Sequence, residues 1–416
     1  MSTSIGATAI DFDTVYDRTA SESSKWHTYP PDVLPMYVAD MDFRSPEPVI
    51  RALRERVEHG FFGYGKEQPE FFEVVTARLA KRYGWIVEPE AIVVLPGVIT
   101  SFNLAVKAFT KPGDGVLVHV PGYGPIRNCP EKHGAERREA VLVQGADGRY
   151  EVDWDSFERA IDKKTKVFLL CNPHNPIGRV FSRDELARMA EICVRRDVLI
   201  VSDEIHCDLV YDGHPHTPIA TLSPDVEART ITLMAPSKTF NLPGLKCSIA
   251  IIPNKELREQ FVAARSELVR AVNILGYTAS LAAYRDGDEW LEALIPYLRA
   301  NRDYLVEYVG DRLPGVSCYP AEGTYLAWLD CRALSLPGAG VVDTLVTKAK
   351  ATLRPDAGFE PGGGPAKFFL EHAKVGLSSG PNFGTGGSGF VRLNFACPRP
   401  MLEEGLARMQ GAIASL

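Results

Sequence analysis

No run of about 18 apolar residues occurs in the 416-residue chain, so a membrane-spanning helix is not expected. Nor is there a basic excess: Lys plus Arg number 46 against 53 Asp plus Glu, a net charge of −7. A phosphate backbone calls for clustered cations, so nucleic acid is not an expected partner. The chain has 8 cysteines but no CxxC element and no zinc-type cluster. Scattered single thiols in a large chain read as reduced and cytosolic. Residues 1–16 contain no Lys or Arg, and Asp11 and Asp13 break any apolar stretch, so no secretory signal is expected and the expected location is cytoplasmic. What is present is a globular composition, 45% hydrophobic and 24% charged. That excludes a disordered chain, a collagen and a small disulfide scaffold.

Residues 1–45 read as irregular. Helices are expected from Pro46 to about His59, with Pro48 in the first turn, and over Glu70–Tyr83. Short apolar runs then alternate with helices. The runs are Ala91–Leu95, Val116–Val120, Val167–Cys171, Leu199–Ser202 and Thr230–Met234, with helical stretches near Ser101–Phe109 and Asp184–Arg196. Continuous apolar strands alternating with helices indicate an α/β fold with a mostly parallel sheet covered on both faces. From Glu256 the pattern is mainly helical, with one helix over Asp288–Val309 bent or broken at Pro296 and ended by Gly310. The last hundred residues read as a smaller α+β lobe. Its strands are Thr324–Leu329 and Phe390–Phe395, its last helix is Met401–Ser415, and its loops are Pro361–Pro365 and Gly384–Gly389. The expected division is a large domain over 46–287 and a small domain from 1–45 and 288–416.

Ligands of open parallel sheets bind beyond the carboxyl ends of the strands. Four segments follow strands there. Gly97, Val98 and Ile99 open a helix whose free N–H groups suit a phosphate. Asn172 to Gly178 packs two Asn-Pro steps into seven residues and can hold the Asn175 amide rigidly toward a phenolic oxygen. Asp203, at the end of a buried strand, needs a cation or a donor. Lys238, between Ser237 and Thr239, is placed to form a Schiff base. Each alone is also an ordinary turn, cap or surface charge. Together they suit one ligand, pyridoxal 5′-phosphate. Asp208, Asp212, His214 and His216 also lie close in sequence; they meet no metal spacing rule and read as a surface loop, so no metal is expected.

The spacing Asn175, Asp203, Lys238, Arg392 resembles the fold-type I pyridoxal-phosphate enzymes of the aspartate aminotransferase superfamily, over nearly the whole chain. Five segments are similar to its MalY/PatB, or cystathionine β-lyase, branch: Val38–Phe43, Cys171–Arg179, Ser202–His206, Ala235–Asn241 and Phe390–Arg399. The resemblance implies a large cofactor domain with a mostly parallel sheet sandwiched by helices. It also implies roles. Lys238 links to the cofactor and then moves protons, Asp203 pairs with the pyridine nitrogen, Asn175 meets the phenolic oxygen and Tyr123 stacks on the ring. Gly97, Val98, Ile99 and Ser237 surround the phosphate. Tyr64 reaches the phosphate of a second subunit, which implies a homodimer. Arg392 takes the substrate α-carboxylate, with Ala39, Asn175 and Tyr64 around the substrate. His206 stands where many aminotransferases have Tyr, which sides with the lyases. Tyr37, Ile177 and Lys246 stand where relatives more often have Trp, Thr and a phosphate-binding Arg.

Arg392 also has a reading of its own. In the strand Phe390–Phe395, Val391, Leu393 and Phe395 share one face, and Arg392 and Asn394 the other. The expected activity is C–S β-lysis of cystathionine or another cysteine S-conjugate to pyruvate, ammonia and a thiol. A transaminase would share the steps up to α-proton removal. A regulatory protein acting through a protein partner is a third alternative.

Overall fold

The computed structural model describes residues 10–211, 213–266, 268–334, 336 and 364–416. All five expected apolar runs are strands of one eight-stranded sheet. Its strands are β1 (Ile92–Leu95), β2 (Gly115–Val120), β3 (Glu136–Gln144), β4 (Tyr150–Val152), β5 (Thr165–Cys171), β6 (Leu199–Asp203), β7 (Thr230–Met234) and β8 (Ser248–Ile251). The order is β1-β8-β7-β6-β5-β2-β3-β4. Neighbours from β7 through β6, β5 and β2 to β3 pair in parallel; β8 is antiparallel to both β1 and β7, and β4 is antiparallel to β3.

Period-2 geometry explains why these runs are apolar throughout. Val116 and Val118 on β2 pack with Phe102 and Phe261, while Leu117 between them packs with Phe157, Leu186 and Met189. Both faces are covered by helices, so every strand position is a core position. The covering helix Arg183–Arg195 starts at a capping box of Ser182 and Glu185.

Three strands of this sheet are absent from the sequence reading. β3 opens on Glu136, Arg137, Arg138 and Glu139, a charge run that hides its strand character. Those charges pair among themselves, Arg138 with Glu136 at 2.7 Å and Arg137 with Glu139 at 3.0 Å. β4 is only three residues long, and β8 is a short reversed insertion. Pro296 neither breaks the helix nor does Gly310 end it: one helix runs over Asp288–Arg312. Its buried face, Leu291, Leu294, Leu298, Leu305 and Val309, holds the turns on either side of the missing N–H against the core.

A four-stranded antiparallel sheet lies in the last hundred residues, built from Ser317–Cys318, Leu326–Asp330, Ser378–Ser379 and Phe390–Asn394. The first segment is not wholly irregular. Residues Ser24–His27 are helical, and Leu34–Pro35 pairs in parallel with Val375–Gly376. Of the expected Gly-rich loops, Gly384–Gly389 connects to the strand Phe390–Asn394, and 361–363 lies outside the described residues. No described helix is long and apolar enough to cross a membrane.

Candidate active site

Strands β5, β6 and β7 are neighbours running one way, so the segments after Cys171, Asp203 and Met234 open at one edge. β1 points the same way beyond the reversed β8, which places Gly97 at that edge too. The reversal matters locally. Ser248, the first residue of β8, accepts the Gly97 N–H at 3.2 Å and donates to Leu95 O at 3.2 Å. The Gly97 N–H is thereby used internally. The N–H groups of Val98 and Ile99 belong to the first turn of a 12-residue helix with no side-chain cap. Gly97 has φ +115, and a Cβ there would meet nothing within 4 Å. The mouth of the helix is therefore open to an anion.

Lys238 sits on the short helix Pro236–Thr239, and its Nζ donates to Ala39 O at 2.5 Å. Burial pushes its ammonium down to about 8; Arg392 and Lys246 act in the same direction, against Asp40 and Asp203. An amine of that kind is available as a nucleophile near neutral pH. Ser237 is half-buried beside it, and Lys246 is exposed with φ +52.

Asp203 is 5% exposed. Burial pushes its carboxyl up to about 7, aided by Glu204 and opposed by Lys238 and by the Ile205 N–H, which donates to Oδ1 at 3.1 Å. His206 is buried against Tyr325, and its Nδ1 has no partner among the described residues. Burial and the cations Lys238 and Arg392 hold its ring well below the ordinary imidazole range, so it is neutral. Asn175 Oδ1 accepts from Arg392 NH1 at 2.8 Å, which leaves its Nδ2 as the free donor end. Tyr123 is half-buried at the start of the helix Gly124–Arg127.

Arg392 is 2% exposed. Besides Asn175 it donates to Tyr37 O at 2.8 Å and Ser378 Oγ at 3.2 Å, while its Nε has no partner among the described residues. No carboxylate contacts it among the described residues, and burial pushes it down to about 10. A buried guanidinium with donors to spare is a site for an anion.

The residues that sequence reasoning missed are those that hold the segment 37–43 across the cleft. Tyr325 OH joins Lys238 on Ala39 O at 3.2 Å; Asn394 Nδ2 donates to Val38 O at 2.7 Å and Asp40 O at 2.9 Å. Most of these bonds end on backbone carbonyls, which leave no residue-type signal. Tyr64 stands apart: it is fully exposed, so its own chain does not bring it into the cleft. The surface-loop reading of Asp208 and His216 is corrected. Both are buried, Asp208 between Arg78 at 3.1 Å and Arg82 at 2.9 Å, and His216 on Glu204 at 2.8 Å. His214 is part-exposed, and Asp212 lies outside the described residues. Among the described residues no group of three or more His, Cys, Asp and Glu could hold a metal ion.

Residues 31–409 match the family model for aminotransferase class I and II. The chain belongs to this family. It is 38% identical to the cystathionine β-lyase PatB of Bacillus subtilis, over 97% of this chain and 100% of PatB. The crystal structure of OvoB superposes with a TM-score of 0.88 at 42% identity, over 98% of this chain and 100% of that one. Cystalysin from Treponema denticola, whose structure contains pyridoxal 5′-phosphate, gives 0.89 at 30% identity over 98% and 100%. The fold is thus that of the pyridoxal-phosphate-dependent aminotransferase family, and the cofactor is pyridoxal 5′-phosphate. The cleft fits it. An uncapped helix start, a buried acid with no ion-pair partner among the described residues, an amide donor end and a low-pKa amine converge at one sheet edge.

Asp203 gives a direct test. Its proton affinity is raised on folding, so the folded chain holds a proton between about pH 4 and 7 that the unfolded chain releases, and the burial penalty is fully present above pH 7. Without cofactor, Asp203→Asn should melt at a higher temperature than the parent at pH 8, with the gap closing toward pH 5. A gap that does not change with pH would contradict the burial of this charge.

Proposed function

We propose that the chain is a pyridoxal-phosphate-dependent carbon–sulfur β-lyase, cleaving the Cβ–S bond of cystathionine or another cysteine S-conjugate to pyruvate, ammonia and a thiol. The observation that carries the amino-acid part is one cleft holding both a low-pKa amine, Lys238, and a buried guanidinium without an acid, Arg392. An α-amino acid presents a carboxylate to one and its Cα–H to the other. Two features support lysis over transamination: His206 where many aminotransferases carry Tyr, and the relative PatB named for that activity.

The cofactor supplies an aldehyde for amines and a cationic ring that takes up the electron pair left when the Cα–H bond breaks. The chain does the rest. Lys238, Ala39 and Arg392 fix where the amine and the carboxylate lie. Free Lys238 takes the proton from Cα and can then return it to the departing sulfur. Asp203 keeps the ring nitrogen cationic, and Asn175 donates its free Nδ2 to the phenolic oxygen. Tyr123 covers the ring. Val98, Ile99 and Ser237 receive the phosphate, with Gly97 clearing the approach and Lys246 adding positive charge. Neutral His206 lies near both Lys238 and Arg392 in the same site.

The active unit is a homodimer in this reading. Phe61, Phe62 and Tyr64 are 74%, 59% and 107% exposed, an apolar run on one short segment that a second copy would cover. Tyr64 then completes the phosphate site of the other subunit.

With no keto-acid acceptor, L-cystathionine should yield pyruvate and a free thiol. Lys238→Ala should lower turnover about 10³-fold or more, and Arg392→Leu should raise KM about 10- to 100-fold. Turnover that demands an acceptor and releases no pyruvate would make the protein a transaminase. Lys238→Ala and Tyr64→Ala chains, each inactive alone, should regain part of the activity when co-refolded into mixed dimers; no recovery would refute the shared site.

A further inference from the structure

A second acid follows Asp203. Glu204 is wholly buried, yet nothing in the proposed chemistry uses it. Its Oε1 accepts from Ser202 Oγ at 2.9 Å and from the Ile219 N–H at 3.3 Å, and its Oε2 meets His216 Nε2 at 2.8 Å. Among the described residues, the buried His216 Nδ1 has no partner. The ring of Tyr83 packs edge-on to His216 at 5.6 Å, but its hydroxyl is donated to Asp208 at 3.2 Å. Partners therefore assign the proton. An imidazolium, or a neutral ring protonated on Nδ1, would bury an N–H donor without an acceptor. A neutral ring protonated on Nε2 leaves only a bare lone pair, the smaller cost. The pair thus keeps one uncancelled negative charge, on Glu204. Asp208, four residues on, differs: Arg78 and Arg82 both meet it.

We propose that Glu204, locked by Ser202, Ile219 and His216 directly after Asp203, is a positioning residue whose fixed charge strengthens the hold of Asp203 on the cationic ring nitrogen of the cofactor. The proposal rests on the assignment of Asp203 to that nitrogen. Two buried acids in consecutive positions share one cation, the one the cofactor brings. At protein-like dielectric a unit charge several ångströms away changes a cation's affinity about tenfold or more.

The test compares dissociation constants of the full chain, stripped of cofactor, for pyridoxal 5′-phosphate and for its deaza analogue, in which a C–H replaces the ring nitrogen. Glu204→Gln keeps the shape: its amide oxygen can accept from His216 Nε2, and its NH2 can turn to Ser202 Oγ. It should weaken pyridoxal 5′-phosphate binding about tenfold and leave the deaza analogue within about twofold. A purely packing role would weaken both equally, and that result, or no change in either, overturns the proposal. His216→Lys sets a permanent cation against an intact Glu204 and should show the same selective loss; it carries the test should Glu204→Gln not fold. Asp203→Asn is the control. If the parent does not prefer the ring nitrogen, or Asp203→Asn does not remove the preference, the assignment of Asp203 fails and this proposal falls with it. If the preference is present and depends on Asp203 but not on Glu204, only this proposal falls.

Discussion

Charge buried without a partner is the constraint on which this cleft depends. Asp203, Lys238 and Arg392 each pay for burial, and each is shifted toward its neutral form by it. Chains bury such groups where a ligand completes them. An acid wants a ring cation, a guanidinium wants a carboxylate, and an amine that has lost its proton wants an aldehyde. Closing all three needs requires a cofactor and an amino acid together.

The sheet exists to bring these groups to one edge. β5, β6 and β7 do so by parallel adjacency, which turns residues 28 or more positions apart in sequence, such as Asn175 and Asp203, into neighbours. Reversed β8 adds what the parallel strands cannot: the start of a strand at the edge where others end, and with it Ser248 under Gly97. The segment 37–43 closes the other side. Its carbonyls take hydrogen bonds from Lys238, Tyr325, Arg392 and Asn394, so the N-terminal part of the chain is tied to the cleft through backbone atoms.

Much of this was legible beforehand, for identifiable reasons. Strands buried on both faces announce themselves as apolar runs, and the alternation in Phe390–Phe395 put Arg392 opposite Val391 and Leu393. Gly97, Asn175, Asp203 and Lys238 stood at strand ends, where side-chain type carries information. Other parts were not legible. β3 hid behind paired charges, while the single helix around Pro296 was read correctly but continues past Gly310 to Arg312. Asp208 and His216 looked like a surface loop because burial of charge depends on Arg78, Arg82 and Glu204, which lie on other elements. The carbonyls of Tyr37 and Ala39 could not have been singled out, since every residue has one.

The central claim is that the amine of Lys238 is the group that meets the cofactor aldehyde. Borohydride reduction of the full chain with pyridoxal 5′-phosphate, followed by peptide mass spectrometry, tests it most directly. The account predicts one pyridoxyl label per chain, on Lys238, and its loss in Lys238→Ala. A label on another lysine, or none, would contradict it.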